Sequence, residues 1–523
     1  MKIIRYIITC ALLIALSPAT QAQTNTTPNQ IKFTRQGVKR LVFDKEQAIS
    51  LAVLKPETIV GLGVMHPIKT EPGQAAAQVS IEQNKLVIQS KKETQTAIWL
   101  GGFNPFATYT IDLAASTGEG VLGFEFTDAD RAERILVYTQ YKDNQITDVR
   151  LKVLKNKEII ADRSIAVNEK ESRELANGII LQMLGSGLVM YTQNDGLPKV
   201  IAQADYNKLA DLRGKQYLNT FQTHLYIGTK NSEVKVSRAD IALTAGMGLA
   251  DIRPVTYEDG EPMMDQGRLW YTMSIRGRGL PHPLQGIFSL NPTVFDIKFE
   301  GVIVFDRNDG ILRNEVASHL FFDRKDKMWR GVTTGFSAYA NPDKEKKQLL
   351  IIESKRDPRF GFSVMNARAF QMVGDMEDPQ MLYDAKAKKW RMLSCTNPGG
   401  GYKAILSESD KWDRGYKQIA GPVAHNSTGT SLQKINGQLY AFSGSNENKL
   451  FVYTYPDLKE VGTLNMDLPP WNDTSGSRVW PNVIQLPDGY PFKYLALMMD
   501  RFNYPSIQGQ NWTYGALYLY HGY

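Results

Sequence analysis

The stretches EVASHLFFDRKDKMWRGVTT (residues 315–334) and MEDPQMLYDAKAKKWRMLS (residues 376–394) decide the fold. Each is an extended apolar run that crosses a charged turn and re-enters on a tryptophan. Alternating apolar and polar positions on both sides of a polar turn predict a β-hairpin. Working outward, the pattern recurs in DIRPVTYEDGEPMMDQGRLWYTMS (251–274), GTSLQKINGQLYAFSGS (429–445) and WPNVIQLPDGYPFKYLALMM (480–499). The aromatics that open the second runs are Trp270, Trp329, Trp390, Tyr440 and Tyr494, at intervals of 59, 61, 50 and 54 residues. That spacing suits one four-stranded propeller blade per copy, so residues 246–523 are expected to form a five-bladed β-propeller. In such a ring the first strand of each blade lines a central channel. Residues far apart in sequence then converge there.

Residues 41–245 lack the blade pattern. Runs such as KLVIQS, TYTIDLAA, GVLGFEFTD, RILVYTQY and HLYIGT alternate between polar turns and predict a β-sandwich of two antiparallel sheets. The order of these runs is similar to a concanavalin-like jelly roll. One helical piece is expected around Asp205–Tyr217. The chain is therefore read as all-β, with an N-terminal sandwich followed by a propeller. Trp99, Phe103 and Tyr109 could stack a sugar on the sandwich or simply pack its core.

The N-terminus has the grammar of a targeting segment. Lys2 and Arg5 precede an apolar core from Ile7 to Leu16, and Thr20–Gln21–Ala22 offers a cleavage site. Residues 1–22 are expected to be a signal peptide, which places the protein in the periplasm or outside the cell. Residues 23–40, rich in Thr, Asn and Gln, are expected to be a flexible leader. No later stretch is long and apolar enough to span a membrane. After cleavage one cysteine, Cys395, remains, so no internal disulfide is expected. It is read as a small buried residue at a strand end.

At 523 residues with 42% hydrophobic and 22% charged residues, the chain can bury two or three ordinary cores. Its net charge is +7, or +5 without Lys2 and Arg5, and no basic block is present. Nucleic acid is therefore not an expected partner. The oligomeric state is left open.

Three of the five strand starts carry acids: Asp251, Glu315 with His319 following, and Glu377 with Asp378. The other two carry Gly429–Thr430–Ser431 and Arg478–Val479–Trp480–Pro481. Hydrolysing a glycosidic bond by inversion needs two carboxyls roughly 6.5–9.5 Å apart, one to protonate the leaving oxygen and one to activate water. A third acid near the donor raises its pKa and keeps it protonated near neutrality. An arginine and an aromatic would hold hydroxyls and stack a sugar face.

Five blades, an early acid in the first, an acid region in the second and Glu377-Asp378-Pro379 in the third resemble the five-bladed propeller glycoside hydrolases of families 43, 62, 32, 68, 117 and 130. The outer stretch from Ser409 to Gly415 (SDKWDRG) is similar to theirs. The resemblance covers residues from about 250 to 523. It implies a carbohydrate substrate, with Asp251 as general base, Glu377 as general acid and Glu315 as the modulating third acid. Arg253, His319, Asp378, Arg478 and Trp480 are expected to bind substrate. The chain departs from the pattern in two places: Asp251 is followed by Ile-Arg-Pro, and the second blade lacks an Asp-Pro. A channel acid can also be a turn residue that bonds backbone amides, and Asp378 before Pro379 fits that reading.

Other motifs are missing. There is no Gly-x-Ser-x-Gly elbow, no Walker loop, no His-Glu-x-x-His and no paired cysteine motif, so neither a metal nor another cofactor is expected. The run Asp306–Gly310 could suggest a structural calcium but reads as a turn. Two alternatives stand beside hydrolysis. One is a carbohydrate-binding propeller without catalysis. The other is a polysaccharide lyase in which His319 and Tyr257 abstract a proton.

Overall fold

Strand-length alternation dominates the chain, and nearly every described element is a β-strand. The computed structural model describes residues 26–167, 173–193, 196–277, 283–370, 372, 375–471, 480–501 and 515–523. The expected signal peptide at 1–22 lies outside them, as does Arg478. Among the described residues no helix is long and apolar enough to cross a membrane.

Residues from 248 onward form five successive antiparallel meanders, called I to V here. Meander I contains Gly248–Pro254, Arg268–Arg276, Leu284–Asn291 and Asp296–Asp306. Meander II contains Val316–Asp323, Met328–Thr334, Leu349–Ser354 and Gly361–Ala369. Its last strand pairs in parallel with the last strand of meander I. Meander III contains Met376–Asp384, Lys389–Thr396, Lys403–Ser409 and Lys417–Ala420. Meander IV contains Thr428–Ile435, Gln438–Gly444, Leu450–Thr454 and Glu460–Thr463. Meander V contains Asn482–Gln485, Tyr494–Met499 and Leu517–Gly522. Its fourth strand is Lys32–Lys39, antiparallel to Leu517–Gly522.

That last pairing corrects the expected leader at 23–40. Alternation of exposed and covered positions along Lys32–Lys39 suits an outer strand, and the unpaired edge of Leu517–Gly522 needs a partner. Asn465–Met466 pairs in parallel with Lys32 and Phe33, and the rest of the strand is the sheet edge, which its low hydrophobicity suits.

The repeated aromatics explain why the meanders pack. Trp270 and Trp329 are buried together in the apolar layer between meanders I and II. Trp390 packs against Phe321 across the II–III boundary, with ring centroids 5.6 Å apart. Tyr440 and Tyr494 lie in the layer shared by IV and V. Burying one such ring contributes roughly 2–3 kcal/mol, so the repeat is a packing device.

The N-terminal part is one strongly curled sheet. Two long strands, Thr108–Thr127 and Gln222–Leu243, pair with each other over most of their length and carry shorter strands on both sides. Phe103 and Tyr109 are buried inside the curl against Phe126, so neither can stack a sugar. Trp99 is half-buried. The expected helix at Asp205–Tyr217 is displaced to Lys215–Thr220, after Gly214. Leu209 and Ala210 instead close a turn onto the Tyr206 carbonyl, and Arg213 is tied to Asp211.

Candidate active site

The site is built by one backbone feature used five times. Each meander has one residue in the left-handed region at the start of its first strand: Asp251 (φ 55°), Ala317 (56°), Asp378 (54°), Gly429 (62°) and Trp480 (66°). In meanders I to IV the register to the second strand slips across this residue. An extra residue held in this way is a β-bulge, and it bends the strand away from its partner. The first strands touch in a closed cycle, I to II to III to IV to V and back to I. The five left-handed residues therefore surround one axis.

This equivalence corrects the expected alignment of acids. The counterpart of Asp251 in meander III is Asp378, and in meander II it is Ala317. Glu377 lies one residue before its bulge and Glu315 two before.

Asp251 is held from the second strand of its own meander. Its Oδ2 accepts from Ser274 Oγ at 2.5 Å and from Arg276 Nη2 at 2.7 Å. Arg501, which follows the second strand of meander V, stands in the electrostatic field of Asp251, Asp378 and Glu377. Burial, then the neighbouring Arg276, lowers its pKa to about 10.

Glu377 is nearly buried, and its Oε2 accepts from Lys347 Nζ at 3.2 Å. Burial and the adjacent Asp378 charge raise its pKa to about 7, against the pull of Lys347 and Tyr402. Asp378 is fully enclosed. Its Oδ2 accepts from the Gly429 amide at 2.7 Å and from the Cys395 thiol at 3.7 Å. Burial, then the charge of Asp251, raises its pKa. Cys395 also donates to the Glu377 carbonyl. Burial, then the two acids, keeps it a thiol. The ligand atoms of Glu377, Asp378 and Cys395 lie within 4.8 Å of one another. With the thiol protonated and Asp378 Oδ2 already taken, this trio is a hydrogen-bonded cluster rather than a cation cage.

Two residues past each bulge lies a buried polar layer: Arg253, His319, Gln380, Ser431 and Asn482. Arg253 Nη1 donates to Gln380 Oε1 at 2.8 Å and to the Thr430 carbonyl at 2.7 Å. Its Nη2 donates to the Asp378 carbonyl at 3.1 Å, and its guanidinium stacks 4.6 Å over Trp480. His319 has Thr256 Oγ1 at 3.0 Å from Nε2, and its Nδ1 accepts from the Met381 amide at 3.4 Å. Burial, then Arg253, holds its pKa well below the usual value, so the ring is neutral.

Four expected substrate contacts are thereby corrected. Arg253 and His319 are completely enclosed, with their bonds directed to protein partners. Asp378 Oδ2 is taken by Gly429 and Cys395, and the Trp480 ring is covered by Arg253. They tie the first strands of the meanders to one another. Glu315 is also corrected. Its Oε1 and Oε2 accept from the Ser337 hydroxyl and amide at 2.7 and 2.8 Å, fixing the short helical turn Phe336–Ala340. The carboxyl that acts on Glu377 is Asp378. The His319–Tyr257 pair of the lyase alternative does not form, because Tyr257 packs under Arg324 instead.

Arg276, Arg501, Lys347 and Tyr402 went unnoticed in the sequence. Arg276 could have been found as the residue facing a channel acid across a hairpin. Lys347 sits in the charged run DKEKK (343–347), which reads as solvated loop.

No protein-family model and no curated protein matches the chain. Solved structures do. A family 117 glycoside hydrolase of Zobellia galactanivorans aligns at 9% identity and TM-score 0.36, over 53% of this chain and 90% of its own. A thermostable family-43 glycoside hydrolase aligns at 12% identity and TM-score 0.35, over 53% and 88%. An α-L-arabinofuranosidase of Lactobacillus brevis aligns at 13% identity and TM-score 0.37, over 52% and 90%. A likeness this distant assigns neither family nor activity to the chain.

Proposed function

We propose that the five meanders are the blades of a five-bladed propeller, and that the protein is an exported glycoside hydrolase acting on a polysaccharide or a derived oligosaccharide. One observation carries the reading. Two carboxyls in different settings stand around one axis, one at a bulge and one beside another: Asp251 paired to Arg276, and Glu377 buried with a pKa of about 7. A carboxylate held by an arginine and a buried carboxyl that keeps its proton can divide the work of base and acid.

In the proposed inverting reaction, Asp251 takes a proton from water as the water oxygen bonds to the anomeric carbon. Glu377 gives its proton to the glycosidic oxygen as the carbon–oxygen bond breaks. Asp378 plays the modulating part expected of Glu315, because its charge opposes ionisation of Glu377.

A second reading, a carbohydrate-binding propeller without catalysis, is favoured by the 2.7 Å Asp251–Arg276 pair, since that carboxylate oxygen is already engaged by a guanidinium. A panel of polysaccharides, assayed with the wild type, Glu377→Gln and Asp251→Asn, separates the two. Hydrolysis requires turnover by the wild type and a loss of roughly a hundredfold or more in each variant. Binding without turnover supports the second reading. Full activity in both variants removes the site assignment.

A further inference from the structure

We propose that Lys347 is a positioning residue for the acid Glu377, delivered from meander II to hold one carboxyl oxygen and leave the proton on the other. The inference rests on the glycosidase reading. Lys347 lies just before the third strand of its meander, Leu349–Ser354, and reaches into meander III. There its ammonium meets Glu377 Oε2 at 3.2 Å, Tyr402 Oη at 2.5 Å and the Asp375 carboxylate. Three acceptors match the three N–H groups of an ammonium. Tyr402 gives its own proton to Asp375 Oδ1 at 2.9 Å, so its oxygen is free to accept from Lys347. The Lys347 side chain is only 10% exposed, and its ammonium lies 5.6 Å from the Phe336 ring centroid and 4.9 Å from that of Tyr402.

This geometry has a chemical consequence. The carbonyl oxygen of a protonated carboxyl is a better acceptor than its hydroxyl oxygen, so the ammonium favours the proton on the oxygen it does not contact. Oε2 is therefore the acceptor and Oε1 the donor. When Oε1 passes its proton to the leaving oxygen, the new negative charge is shared with Oε2, already bonded to Lys347. The ammonium need not move during the step, which is what preorganised stabilisation of developing charge means. The charged or titratable groups acting on Glu377 are Asp378, Lys347, Tyr402, Cys395 and Arg501. Lys347 is in direct contact with its carboxyl.

The test needs no substrate. Infrared difference spectra against Glu377→Gln isolate the carboxyl band of Glu377, which is titrated in the wild type, Lys347→Met and Lys347→Arg. Losing the ammonium should move the midpoint up by roughly one pH unit, a tenfold rise in proton affinity, while arginine should keep it near the wild-type value. A midpoint unchanged in folded Lys347→Met overturns the proposal, whatever happens to thermal stability. If the midpoint moves but no glycan is cut by the wild type, the ion pair stands and the hydrolase reading falls. With a substrate in hand, Lys347→Met should lower kcat with little change in KM and shift the basic limb of the pH profile upward.

Discussion

Asp251 and Asp378 occupy the same bulge in meanders I and III, with φ of 55° and 54°, and stand close enough for the charge of one to oppose ionisation of the other. Backbone in this region costs non-glycine residues roughly 1–3 kcal/mol, and Asp adopts it more readily than most. Repeating the conformation at Ala317 and Trp480 shows that the bulge belongs to the architecture.

The raised pKa of Glu377 has a stability consequence. Between pH 4.5 and 7 the folded chain keeps a proton that the unfolded chain has released. Stability therefore falls as pH rises through that window, by at most about 3 kcal/mol from this group. Glu377→Gln escapes the loss. Thermal melts should show the variant gaining on the wild type between pH 5 and pH 8, and an equal difference at both values would refute the buried, protonated Glu377.

Arg253 should matter for stability rather than for substrate affinity. Its guanidinium satisfies Gln380 and the Thr430 and Asp378 carbonyls in a sealed layer. Arg253→Met leaves those acceptors unpaired and should cost about 3–5 kcal/mol, read from the urea midpoint. An unchanged midpoint with weakened saccharide binding would restore it to the substrate site.

Glu315→Gln separates a structural carboxyl from a catalytic one. The amide oxygen can still accept from Ser337, but one acceptor is replaced by a donor. A loss of about 1–3 kcal/mol with unchanged kcat is expected. A large fall in kcat at full stability would return Glu315 to the reaction.

Lys32–Lys39 supplies the outer strand of the last meander, although the rest of that meander lies some 450 residues later. A chain beginning at residue 41 should expose the edge of Leu517–Gly522. It should melt at lower temperature and self-associate more than the full chain, as scattering during a thermal ramp would show. Identical melting would mean that the strand adds nothing.

The sequence by itself determined the all-β class and the hairpins that carry Trp270, Trp329, Trp390, Tyr440 and Tyr494. These features depend on local alternation and on rings spaced to fill the layer between neighbouring sheets, and both are written in consecutive residues. It also pointed to Asp251 and Glu377, because acids at strand starts stand out against apolar runs. Only the tertiary structure decided which acids are equivalent, since a bulge shifts register by one residue without any mark in composition. Aligned by strand start alone, Glu315 looked like a partner of Glu377. In space Ser337 claims it, and the carboxyl whose charge acts on Glu377 is Asp378. Lys347 and Arg501 were illegible for the same reason: their partners lie in other meanders, and burial, not residue type, turns an ordinary surface cation into part of a site. Lys32–Lys39 looked like a polar leader because an edge strand needs a partner's backbone more than it needs its own hydrophobicity.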